Sequence, residues 1–165
     1  PLPHIFMEAF WTFFIVIGGS GATMGLVICY LRSRSAHLRS IGRLSVVPSF
    51  FNINEPILFG LPVIMNPIML IPFNLVPLVL ATVQYAAMKI GAVAVTTGVF
   101  IPWTLPPVIS GFIVTGHLSG SVMQLINLLI GAMLYLPFMR IVDKQYRAAE
   151  LSTVTQTDTT LAKQE

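Results

Sequence analysis

The sequence predicts an all-α polytopic membrane protein built from broken transmembrane helices and re-entrant hairpins. Three observations carry that reading. Of 165 residues, 55% are hydrophobic and only 9% charged, with a mean hydropathy of +0.84, whereas a soluble domain carries about 25% charged residues. Several apolar runs approach the roughly 20 residues that a helical span needs. Those runs are also punctured by Pro, Gly and a lone carboxylate, Glu55, the only formally charged residue between Arg43 and Lys89. An ionisable group at membrane depth is costly and marks a functional site by default. The net charge of +3 does not suggest nucleic acid, because the basic residues flank apolar runs and are not interleaved with aromatics.

Taken in order, the chain opens on Pro-Leu-Pro without a basic leader or a cleavage site, so it is read as the C-terminal part of a longer protein. Residues 5–31 form the first apolar run, long enough to span. Its small-residue patch, Gly18-Gly19-Ser20-Gly21-Ala22-Thr23, fits either close helix packing or a helix break with amides facing a ligand. Glu8 reads as interfacial. Cys29, the single cysteine, reads as a buried small hydrophobe and excludes an intrachain disulfide.

Residues 32–43 are a basic connector, placed in the cytoplasm by the positive-inside rule, with Leu38, Ile41 and Leu44 on one helical face. In residues 45–66, Asn52, Asn54, Glu55 and Pro56 lie together, and Pro56 biases Glu55 away from the α region. Phe51 to Asn66 is about sixteen residues with Pro56, Gly60 and Pro62 among them, short for a straight span. A re-entrant hairpin with its tip at Asn54-Glu55-Pro56 is expected. Broken backbone at membrane depth survives only where protein buries it or where it lines a cavity.

Residues 67–88 carry Pro67, Pro72 and Pro77, predicting a bent or partly unwound span in which Asn74 and Gln84 need partners. Residues 90–116 are interrupted at Ile101-Pro102-Trp103-Thr104-Leu105-Pro106-Pro107, where Trp103 is either an interfacial anchor or an aromatic wall. Residues 118–139 read as the cleanest helix, capped by Ser119 or Ser121, with Arg140, Lys144 and Arg147 following on the inside. If both basic clusters are cytoplasmic, residues 44–139 cross an even number of times and the Trp103 segment must be re-entrant. A full crossing would put one cluster on the other side.

An ionised carboxylate accepts two hydroxyl hydrogens, Asn both donates and accepts, and an aromatic face covers the C–H face of a pyranose. Glu55, Asn54, Asn52 and Trp103 therefore make a reasonable sugar site. The plain structural alternative for Glu55 is a buried ion pair with Lys89 or with a residue of the part that precedes this chain. One carboxylate is poor for a divalent metal and insufficient for glycoside hydrolysis.

Phe51-Asn52-Ile53-Asn54-Glu55-Pro56-Ile57-Leu58-Phe59-Gly60-Leu61-Pro62 followed by Asn66-Pro67 resembles the signature of membrane component IIC of the bacterial phosphotransferase system, in its lactose/cellobiose/diacetylchitobiose branch. The block Ile101 to Phe112, and Tyr135-Leu136-Pro137-Phe138 before Asp143-Lys144-Gln145, resemble two further segments of that family. The resemblance implies a homodimeric permease of the bacterial cytoplasmic membrane that binds a β-linked disaccharide, with Glu55 bonding sugar hydroxyls and Trp103 lying against the ring. Component IIB, fed by IIA, would supply the phosphoryl group, so no catalytic residue, cofactor or metal is expected in this chain. The family's histidine lies upstream; His4, His37 and His117 do not match its motif. On this reading residues 1–147 are a portion of the transport domain and 148–165 a polar, disordered tail. The alternatives are a proton-coupled secondary transporter using Glu55 as carrier and an intramembrane enzyme using it as general base.

Overall fold

The computed structural model describes residue 5, residues 7–61 and residues 63–161, with side chains as far as residue 153. His4 and Pro62 lie outside the described residues. Helix is the only regular structure among the described residues. Two helices among the described residues are long and apolar enough to cross a membrane.

The first apolar run is not one span. Helix α1 (Glu8–Phe10) passes into a π-helical turn (Trp11–Ile15), the chain then turns, and helix α2 (Met24–Leu31) follows. Gly18 and Gly19 take φ of +80° and +100°, a region that L side chains rarely adopt, so the helix cannot run through. The backbone breaks within the patch, and just beyond it a Cβ on Gly25 would lie 2.6 Å from the Ala132 amide nitrogen, so α2 packs directly on the last helix.

Helix α3 (Ala36–Phe50) corrects the boundary drawn at residue 43: the basic connector and the start of the next segment are one helix. Ser35 caps it, its Oγ accepting from the Leu38 amide at 3.3 Å. Of the three residues expected on one face, Leu38 and Ile41 are buried in the protein, but Leu44 is 70% exposed. Pro48 sits near the C-terminus of α3 without ending it. The turn then falls at Asn52, with φ +61°. Helix α4 (Glu55–Gly60) returns along α3, and a Cβ on Gly60 would touch the Ile41 side chain at 3.1 Å. Glu55 thus opens a helix, contrary to the expectation that Pro56 would exclude it. Proline is tolerated in a first helical turn, where its missing N–H has no intrahelical use.

Helix α5 (Pro67–Lys89) is helical throughout despite Pro72 and Pro77. Asn66 caps it, and Asn74 Nδ2 donates back to the Leu70 carbonyl at 2.9 Å. Residues 90–108 contain no helix. Thr97 N–H donates to the Val114 carbonyl at 2.8 Å and Ala94 N–H to Ser119 Oγ at 3.4 Å, so this segment leaves and returns at neighbouring points. Helix α6 (Ile109–Thr115) is too short to span, and helix α7 (Leu118–Leu161) completes the fold. Ser119 and Ser121 do not act as caps; Ser121 Oγ donates to the Val108 carbonyl at 2.6 Å, and both serines tie α7 to the segment before it.

Polar side chains hold the irregular pieces in an apolar interior. Gln124 Nε2 donates to the Phe13 carbonyl at 2.8 Å and Asn127 Nδ2 to the Phe14 carbonyl at 3.0 Å, anchoring the π-helical turn to α7. Gln124 Oε1 accepts from the amides of Val108 and Gly111, while Gln84 Oε1 on α5 accepts from Asn127. Buried polar groups left unpaired would cost about 1–3 kcal/mol each, so these amides set where the chain is permitted to leave the helix.

At one end of the molecule the connector is clasped to α7. Asp143 accepts from the Ser33 hydroxyl and from the Arg34 and Ser35 amides, both at 3.0 Å. Glu150 accepts from the Ser35 hydroxyl at 2.6 Å and the His37 amide at 3.1 Å, and the His37 ring stacks on Tyr146. Helix α7 continues beyond this clasp to Leu161.

Candidate functional site

Asn52, Asn54, Glu55 and Trp103, separated by up to half a hundred residues in sequence, line one cavity of about 260 Å³. Three breaks meet there: the glycine turn after the π-helix, the turn between α3 and α4, and the non-helical segment holding Trp103. Trp103 is 56% exposed, and Glu55 is also exposed. Lys89, the alternative partner for Glu55, instead stands with its Nζ 5.8 Å from the centre of the Tyr85 ring.

The two asparagines are fixed differently from the two other residues. Asn52 Oδ1 accepts from the Gly18 amide at 2.8 Å, and its Nδ2 donates to the Trp103 carbonyl at 2.7 Å. One side chain therefore joins all three broken segments. Asn54 is buried, and its Nδ2 donates to the Ser20 carbonyl at 2.8 Å. The bonds leave Asn52 and Asn54 mainly as supports, whereas the Glu55 carboxylate and the Trp103 indole remain available. A Cβ on Gly19 would lie 2.4 Å from the Asn54 side chain, so only glycine permits that approach.

Trp11, Thr12, Val16 and Ser20 complete the wall. The sequence reading missed them, Trp11 above all, which is 50% exposed and faces the same cavity as Trp103. The usable signal was that Trp11 stands inside the run that the glycine patch interrupts, seven residues before Gly18. Glu8 lines a neighbouring cavity of about 190 Å³ that shares Thr12 and Trp103 with the first.

Fold and site together define a helical membrane protein in which discontinuous helices enclose a small cavity with one carboxylate and two indoles. The family model described as "Phosphotransferase system, EIIC" matches residues 1–77. The chain is 52% identical over 151 residues to the cellobiose-specific EIIC component of Geobacillus stearothermophilus, covering 90% of this chain and 34% of that protein. It is 49% identical over 146 residues to the lichenan permease IIC component of Bacillus subtilis (strain 168), covering 87% and 32%. Among solved structures it matches the transporter ChbC, the IIC component of the N,N'-diacetylchitobiose-specific phosphotransferase system, at a TM-score of 0.88 and 46% identity over 90% of this chain and 35% of that one. Over most of its own length the chain is similar to EIIC membrane components of the phosphotransferase system, and it spans about a third of the length of these relatives.

Proposed function

We propose that this chain is the substrate-holding portion of a sugar permease of the bacterial cytoplasmic membrane, which takes up a β-linked disaccharide of the cellobiose/diacetylchitobiose/lactose class. The carrying observation is the convergence of Glu55 and Trp103 on one cavity, each delivered by a different break in the helices. The Glu55 carboxylate accepts paired sugar hydroxyls, the stronger kind of hydrogen bond because the acceptor is charged. The Trp103 face covers the apolar side of a pyranose ring, and Trp11 stands on the same wall. Asn52 and Asn54 hold these groups in register through Gly18, Ser20 and Trp103.

The full-length protein is a homodimer, and it presents the bound sugar to component IIB, itself recharged by IIA, for phosphorylation at the cytoplasmic face. Helices α5 and α7 cross the bilayer, while the α3–α4 hairpin and residues 90–117 enter it and return. The clasp supports this topology, because hydrogen bonds from residues 33–37 to Asp143 and Glu150 put both basic clusters at one end of the molecule. The test is calorimetry with cellobiose, diacetylchitobiose and lactose on the full-length protein and its Glu55→Gln variant. The variant should stay folded and bind at least about tenfold more weakly, since a hydrogen bond to a charged group contributes about 1.5–3 kcal/mol. Unchanged affinity in a folded variant would remove Glu55 from the site.

A further inference from the structure

A cavity of about 600 Å³ lies away from the sugar site, between α2, the connector and α7. Its chemistry is divided. Arg32 and Arg34 come from one wall and Arg140, Lys144 and Arg147 from the other. The last three follow at spacings of four and three residues, which keeps them on one face of α7. Beneath them the same face is apolar, with Leu136 and Met139 opposite Cys29. Asp143, the one carboxylate in the wall, is engaged by the Ser33 hydroxyl and by the amides of Arg34 and Ser35. Five cationic side chains thus surround a space whose only acid is already bonded.

The cations begin at Arg140, where the apolar stretch 118–139 of α7 ends. That junction is the depth at which phospholipid phosphates lie. Guanidinium groups match phosphate oxygens in a two-pronged geometry, and basic pockets between helices on the cytoplasmic side bind anionic headgroups. A free anion would use the charged rim alone. The apolar wall continuing below it suits an acyl chain.

We propose that this cavity is a binding site for an anionic phospholipid of the phosphatidylglycerol type, the arginines and lysine holding its phosphate and the Leu136–Met139 wall its acyl chain. The site makes no use of the sugar cavity, so the two can fail separately. The test takes the full-length protein, stripped of lipid in mild detergent. Thermal unfolding and lipid retention by mass spectrometry are measured with phosphatidylglycerol, with phosphatidylcholine, and with inorganic phosphate at matched ionic strength. Phosphatidylglycerol should raise the unfolding midpoint by several degrees and stay bound, and phosphatidylcholine should do neither. The double variant Arg140→Gln/Arg147→Gln should retain phosphatidylglycerol about thirtyfold more weakly while its disaccharide affinity stays as in the wild type. Equal effects of the two lipids on the wild-type protein would overturn the proposal, as they would if another part of the full-length chain filled the cavity. A full midpoint shift from inorganic phosphate alone, or an unaltered response in the folded double variant, would overturn it too. Should the double variant not fold, the wild-type comparison of the two lipids and the single variant Lys144→Gln decide.

Discussion

Asn52 is the residue whose role changed most between sequence and structure. Its place beside Glu55 suggested a hydroxyl-binding amide, but its oxygen is spent on Gly18 and its nitrogen on Trp103, and its backbone sits at positive φ. Replacing it by alanine removes both bonds and leaves a non-glycine residue in a left-handed conformation without the local support that asparagine provides. We expect Asn52→Ala to lose about 1–3 kcal/mol of stability and to weaken sugar binding through displacement of the Trp103 segment. Asn52→Asp keeps an acceptor for Gly18 and loses the donor to Trp103, so it should retain more stability than binding. Unfolding midpoints and calorimetric affinities of the two variants side by side check this. Glu55 was legible in the sequence as a candidate because a lone charge within an apolar run is costly. The contacts of Asn52 were not, since they depend on residues 34 and 51 positions away.

At the scale of elements, two contacts carry different tests. Gly25 lets α2 lie against α7, and a Cβ there would meet backbone, which cannot rotate away. Gly25→Ala should therefore destabilise the protein by about 1–3 kcal/mol as an overpacked contact, outweighing the gain in helix propensity of about 1 kcal/mol; a raised unfolding midpoint would contradict it. The clasp is electrostatic. Partial burial works to raise the Asp143 carboxyl, but bonds from the Ser33 hydroxyl and from the Ser35 and Arg34 amides, with the Arg147 charge, outweigh it and hold the group below its ordinary value. The Ser35 hydroxyl and the His37 amide likewise hold Glu150 low. Folded-state values below the unfolded ones mean that the clasp stabilises fully above the ordinary carboxylate range and is lost as pH falls through the lowered values. Wild-type protein should thus lose more stability on acidification than Asp143→Asn, which lacks part of the clasp at every pH; parallel pH profiles would contradict this. The sequence announced where helices break, through Gly18-Gly19 and Pro102 to Pro107, but misjudged α5 and α3. Prolines 48, 72 and 77 remain inside helix.

For the whole molecule, the parity of crossings could not be read from apolar runs, since run length does not distinguish a segment that crosses from one that returns. What supports the reading with both basic clusters on one side is the contact between residues 33–37 and Asp143 and Glu150, a long-range pairing with no local signal. Cysteines placed at Arg34 and at Lys144 in the full-length protein should both react only with reagents that reach the cytoplasm. Labelling of the two from opposite sides would require the Trp103 segment to cross. The central claim is that helix breaks far apart in sequence assemble one sugar cavity around Glu55 and Trp103. Its most direct test is a cellobiose titration of full-length protein in which Trp103 is the only tryptophan, Trp11 and any others being replaced by Phe, read by indole fluorescence. The account predicts a saturable shift or quench that disappears in the Glu55→Gln background. A protein that binds cellobiose by calorimetry with no change in Trp103 emission at saturation would place the sugar elsewhere and contradict it.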